Sequence, residues 1–135
     1  MVGALVARRA AEAGYTVRAM VRGSSNRSSL EGLGIEFVEA DLGSPASLEP
    51  AFEDVDYVVN TAAHVGDWGP AEKFRAINVV ALEHMITICR RMDQLKRWVQ
   101  ISSLGVYSAT HHYGTDETTP ADLSGLDGYT RTKDE

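Results

Sequence analysis

Along the chain, apolar and polar positions fall into segments that alternate between a helical and a strand period. From Ala4 to Ala13 the sequence is alanine-rich, with Leu5, Val6 and Ala10 as an inner side and Gly14 as a stop, which predicts a helix closed by glycine. The β-rich run Tyr15 to Val21 follows and gives way to the loop chemistry of Arg22-Gly23-Ser24-Ser25-Asn26. A short helix is predicted over Ser28 to Leu33, before Gly34. Ile35-Glu36-Phe37-Val38-Glu39 then alternates as a strand that ends at Asp41-Leu42. Ser44-Pro45 reads as a cap and first turn for a short helix over Ala46 to Phe52, and Asp56 to Asn60 is a third strand. The longest predicted helix runs from Ala71 to about Met92, with Phe74, Ile77, Ala81, Met85 and Ile88 on its buried side. Arg97 to Ile101 forms a fourth strand. A polar loop after Tyr107 ends near Asp127, where a last helix begins.

Strands alternating with helices at this spacing predict βαβ units, hence an α/β fold with a doubly wound parallel sheet and helices on both faces. Ligands of such sheets sit outside the carboxyl ends of the strands. Those ends carry Arg22, Asp41, Asn60 to Ala63, and Ser102-Ser103, and the loop Gly66-Asp67-Trp68-Gly69-Pro70 is a candidate wall of the site.

Composition narrows the class. With 135 residues and 44% hydrophobic content, the chain is expected to form one domain with a real core. Its 13 Lys and Arg against 19 Asp and Glu give a net charge of -6, which is not the basic footprint of a nucleic-acid binder. Cys89 is the single cysteine, so an internal disulfide or thiolate metal cluster is excluded and a cytoplasmic setting is expected. No apolar run reaches the length of a membrane span, and the opening residues lack the pattern of a signal peptide. His111 and His112 are adjacent and point in divergent directions, so no metal site is expected from them. The aromatic residues, Trp68 and Trp98 included, are expected to pack.

The most chemical stretch is Tyr129-Thr130-Arg131-Thr132-Lys133. On a helix the phenol and the ammonium lie one above the other and can meet over one substrate. An ammonium beside a phenol favours the phenolate, which makes the pair an acid/base unit.

Several further motifs occur in a telling order. They are Asp41-Leu42 at a strand end, Asn60-Thr61-Ala62-Ala63 after the next strand, and Ala76-Ile77-Asn78-Val79 inside the long helix. Ile101-Ser102-Ser103-Leu104-Gly105-Val106-Tyr107 and Asp116-Glu117-Thr118-Thr119-Pro120 then precede the Tyr-x-x-x-Lys helix. Together they resemble an extended short-chain dehydrogenase/reductase of the NAD-dependent epimerase/dehydratase family over essentially the whole chain. The Gly66 to Pro70 loop and the form of the last motif look closer to its hydroxysteroid or sterol dehydrogenase members than to its sugar-nucleotide epimerases.

The resemblance implies a catalytic set of Ser103, Tyr129 and Lys133, with Ser103 assigned by alignment on Val106-Tyr107. It implies cofactor contacts at Gly3, Asp41, Leu42, Thr61, Ala62, Ala63, Asn78, Tyr129 and Lys133. Arg22 stands at the end of the second strand of the family fold, where an acid would bind a ribose 2'-hydroxyl. An arginine suits a 2'-phosphate, so NADP is the expected cofactor, with NAD as the alternative. Asp41 also reads as an ordinary turn residue, Asn78 as a solvent-facing one and Arg22 as a solvated loop arginine; both readings of each stand at this point.

Set against the family, Met1-Val2-Gly3 supplies what looks like the last glycine of a Gly-x-x-Gly-x-x-Gly turn, without the strand and glycines before it. The chain also ends inside the tyrosine helix. It therefore reads as a partial NAD(P)-binding Rossmann domain over residues 1–135, with the substrate-binding part absent and strands left without a shared neighbour. The implied function is hydride transfer between a nicotinamide and a hydroxyl or carbonyl on a small-molecule substrate, sterol-like or another secondary alcohol. The alternatives are a sugar-nucleotide epimerase/dehydratase and, from another class, a non-catalytic dinucleotide sensor or an inactive fragment. For the full-length protein a homodimer is implied, paired through the long helix and the tyrosine helix.

Overall fold

A computed structural model describes residues 2–108, 111–122 and 127–135, so parts of the polar loop predicted after Tyr107 lie outside the described residues. Two compact units emerge: Met1–Ala62 with His84–Gln100, and Ala63–Glu83 with Ile101–Glu135.

The first unit contains the four strands present among the described residues. Helix α1 spans Val2–Glu12 and is closed as expected at Gly14, where Tyr15 N donates to Ala10 O at 3.1 Å. Strand β1, Arg18–Val21, pairs in parallel with β2, Glu36–Glu39. Strand β3, Tyr57–Asn60, pairs in parallel with β4, Arg97–Gln100. The four strands form two separate pairs, because β1 and β3 share no ladder. That is the incomplete doubly wound arrangement expected from the sequence. On the β3–β4 pair, Tyr57, Val59 and Val99 are exposed, while Trp98 on the other face stacks on Phe52 with ring centroids 6.4 Å apart.

The predicted helix over Ala46 to Phe52 divides into a 3-10 turn, Pro45–Ser47, and a short α2, Glu49–Phe52. Ser44 supplies no side-chain cap, and its carbonyl instead accepts from the Ser47 hydroxyl at 2.6 Å. Leu30, Ala40, Leu48, Phe52, Met85 and Cys89 form the buried apolar set of this unit among the described residues.

The long predicted helix appears as α3, Ala71–Arg75, a π-helical turn, Ala76–Val80, and α4, Ala81–Cys89. The wider turn shifts the inner face by about one residue, as π-bulges do. Asn78, Val79 and Cys89 are therefore buried together with Phe74, Ala81 and Met85, whereas the expected Ile77 and Ile88 are only half-buried.

In the second unit, helix α5, Gly128–Asp134, begins where the sequence predicts. Asp127 caps it, accepting from Thr130 N at 2.9 Å. Phe74, Val79, Ala81 and Val106 give the apolar core of this unit, and Asn78, Thr130 and Thr132 are buried among its polar groups. Trp68 departs from the packing role expected of it: it is 93% exposed.

Candidate active site

In the second unit the three residues expected to be catalytic are held by backbone and buried polar contacts. Tyr129 and Lys133 share a face of α5, and the Lys133 ammonium lies 5.9 Å from the Tyr129 ring centroid. Lys133 Nζ donates to Ile101 O at 2.7 Å, at the start of the segment that carries Ser103. Partial burial depresses the Lys133 pKa below the ordinary lysine value through desolvation of its charge. Ser103 Oγ accepts from Gly105 N at 3.2 Å, which fixes a lone pair and leaves the hydroxyl hydrogen for donation.

Two supports set the position of α5. Phe74 is 1% exposed and packs on Gly128, where a Cβ would come within 2.7 Å of its ring, so any larger residue beside Tyr129 would displace the aromatic. The ring of His64 lies 4.7 Å from the same phenyl group. Asn78 is the second support. Its Oδ1 accepts from His64 N at 2.7 Å, and its Nδ2 donates to His64 O at 3.1 Å and to Thr132 Oγ1 at 2.9 Å. All three partner groups are satisfied by one amide orientation, because His64 N needs an acceptor and His64 O a donor. The solvent-facing reading of Asn78 is thus overturned by its burial. Ala63, which precedes this anchored residue, is half-buried.

In the first unit the expected adenosine-side residues lie at the strand ends. Asp41 is exposed and its Oδ1 accepts from Gly43 N at 2.7 Å, a turn-closing bond consistent with the ordinary reading, while Leu42 is half-buried. Thr61 and Ala62 follow β3, and Ala62 N donates to Asn60 Oδ1 at 3.1 Å. Gly3 lies in the first turn of α1, where a Cβ would fall 2.6 Å from Thr61 Oγ1. The absence of a side chain at Gly3 is what lets Thr61 approach the first turn of α1 so closely.

Arg22 is exposed just past β1, and its N–H donates to Ser25 Oγ at 3.1 Å. Three groups escaped the sequence reading. Phe74 was read as core only, Thr132 was unassigned although it stands beside Lys133 in the motif, and Glu39 lies at the Arg22 turn. The parallel register, Val21 opposite Glu39, brings that acid from a distant segment.

Parallel βα units with donors at their carboxyl edges and a Tyr-x-x-x-Lys helix define a dinucleotide-binding class of α/β protein. The NAD dependent epimerase/dehydratase family matches residues 1–134, and the chain belongs to it. It is 27% identical over 133 residues to the 2-alkyl-3-oxoalkanoate reductase of Shewanella oneidensis, covering 98% of this chain and 34% of that protein. It is 32% identical over 136 residues to sterol demethylase protein B of Methylococcus capsulatus, covering 98% and 39%. Among solved structures, the epimerase Mth375 of Methanothermobacter thermautotrophicus superposes with a TM-score of 0.85 at 27% identity, covering 98% of this chain and 41% of that one. The chain thus spans well under half the length of these relatives.

Proposed function

We propose that the protein is an NAD(P)-dependent oxidoreductase that interconverts a secondary alcohol and a ketone on an aliphatic or sterol-like small molecule. The observation that carries this reading is the Lys133 ammonium, fixed on Ile101 O at 2.7 Å and poised 5.9 Å from the Tyr129 ring, in the unit that also orients Ser103. The names of the reductase and sterol demethylase relatives support the substrate class.

A bound nicotinamide supplies the hydride in reduction and accepts it in oxidation. Ser103 donates its hydroxyl hydrogen to the substrate oxygen and steadies the negative charge that develops there. Tyr129 protonates that oxygen in reduction and removes the hydroxyl proton in oxidation. Lys133 uses one N–H on Ile101 O, stabilises the phenolate through its charge, and would hold the nicotinamide ribose with another N–H. In the first unit Gly3, Asp41, Leu42, Thr61 and Ala62 would hold the adenosine and pyrophosphate part of the cofactor, and in the second Ala63 would face it, while Asn78 acts through the backbone of His64 and the Thr132 hydroxyl. Arg22 recognises a ribose 2'-phosphate, which makes NADP the preferred form.

The test is turnover of the full-length protein with NADPH and a panel of β-keto acids, aliphatic ketones and ketosteroids. Net oxidation of NADPH is expected, which separates a reductase from an epimerase that returns the hydride to its substrate. Tyr129→Phe is expected to lower kcat at least about 100-fold while leaving cofactor affinity within a small factor. Undiminished turnover by Tyr129→Phe would end the assignment.

A further inference from the structure

The turn after β1 holds an acid as well as the arginine. The register of β1 and β2 sets Glu39 opposite Val21, at the same end of the sheet as Arg22. Its carboxylate occupies the space beside Gly23: a Cβ there would lie 2.6 Å from Glu39 Oε1 and 3.2 Å from its carboxyl carbon. Arg27 faces the other carboxylate oxygen, with Nη2 3.6 Å from Glu39 Oε2. The Arg27 guanidinium is itself held 5.5 Å over the Phe37 ring. Ser25 N donates to Arg22 O at 2.9 Å and Ser25 Oγ accepts from Arg22 N at 3.1 Å, so the turn presenting Arg22 is closed on itself. The side chain of Arg22 makes no ion pair among the described residues.

We propose that Glu39 is a specificity-determining residue for the ribose: it accepts a hydrogen bond from a 2'-hydroxyl and opposes a 2'-phosphate, with Arg27 setting how much of its charge is felt. This rests on the dinucleotide reading above and narrows it. Arg22 and Glu39 pull in opposite directions at one turn, so the protein uses both NADP and NAD with a modest preference, rather than NADP alone. A carboxylate is an acceptor only, so it pairs with a hydroxyl and repels a phosphate dianion. Glu39 is exposed and Arg27 half-buried, so solvent and salt reduce but do not remove the field of the pair.

The experiment is calorimetric titration of the full-length protein with adenosine 2',5'-bisphosphate and adenosine 5'-monophosphate, which needs no turnover. At low salt, Glu39→Gln is expected to tighten the bisphosphate about fivefold and to weaken the monophosphate about twofold. Arg27→Gln, which exposes the full Glu39 charge, is expected to weaken the bisphosphate by a similar factor. High salt should shrink both changes. If wild type binds both ligands and Glu39→Gln leaves their affinity ratio unmoved, Glu39 only anchors Arg27 and the proposal is overturned while the dinucleotide reading stands. If wild type binds neither ligand, the dinucleotide reading falls and this proposal with it.

Discussion

The two units reach their expected tasks by opposite physical means. The first has a mainly apolar interior of Leu30, Leu48, Phe52 and Met85, with the buried Asn60 amide bonded to Gln100, and its candidate recognition charges lie at the surface, Arg22, Glu39 and Asp41 exposed and Arg27 half-buried. The second places polar residues inside. Asn78, Thr130 and Thr132 are buried, and they or their neighbours determine where Tyr129 and Lys133 stand. The difference follows from what each task needs. Attraction of a charged ligand acts over several ångströms and tolerates solvent. Proton transfer requires donor and acceptor within hydrogen-bond reach, so its groups need supports that do not move.

Breaking the interior of the second unit should therefore have the largest effect. Phe74→Ala removes the ring that packs on Gly128, Gly69 and His64, and is expected to cost about 3–5 kcal/mol in denaturant unfolding. Loss of ordered α5 should accompany it, and a cost below about 1 kcal/mol would show that the ring does not support that helix.

A smaller loss is expected at the cap. Asp127→Ala should destabilise by about 1 kcal/mol and Asp127→Asn by much less. The hydrogen bond from Thr130 N, with lesser help from the Thr130 hydroxyl, holds the Asp127 carboxyl below its ordinary pKa. The sign follows directly: its contribution to stability is complete above the ordinary carboxylate value and is lost as pH falls through the depressed one. The difference between wild type and Asp127→Ala, measured by unfolding across acid pH, should shrink in that window.

Much of the scaffold was legible in the sequence because periodicity and punctuation report local structure. Gly14 closes α1, Asp127 opens α5, and the four strands stand within the runs predicted for them. What was not legible depends on registers between segments distant in sequence. Asn78 reads from its own position either as a solvent-facing residue or as part of the family's asparagine motif, and only the fold, with its π-helical turn, brings it inward to His64 and Thr132. Glu39 reads as the outer half of an alternating strand, and only the pairing with β1 brings it beside Gly23. Trp68 was read by hydrophobicity alone, whereas the backbone bends of its glycine-containing loop leave the indole outside.

The central claim is that Lys133 tunes Tyr129 as the acid/base group. The pH profile of alcohol oxidation by the full-length protein at saturating cofactor, compared between wild type and Lys133→Met, tests it most directly. With the ammonium gone, the phenolate loses its stabilising charge, so the rise in rate with pH should move to higher pH and the rate near neutrality should fall by at least about tenfold. Profiles that superpose after scaling would contradict the claim and leave Lys133 as a support for Ile101 alone.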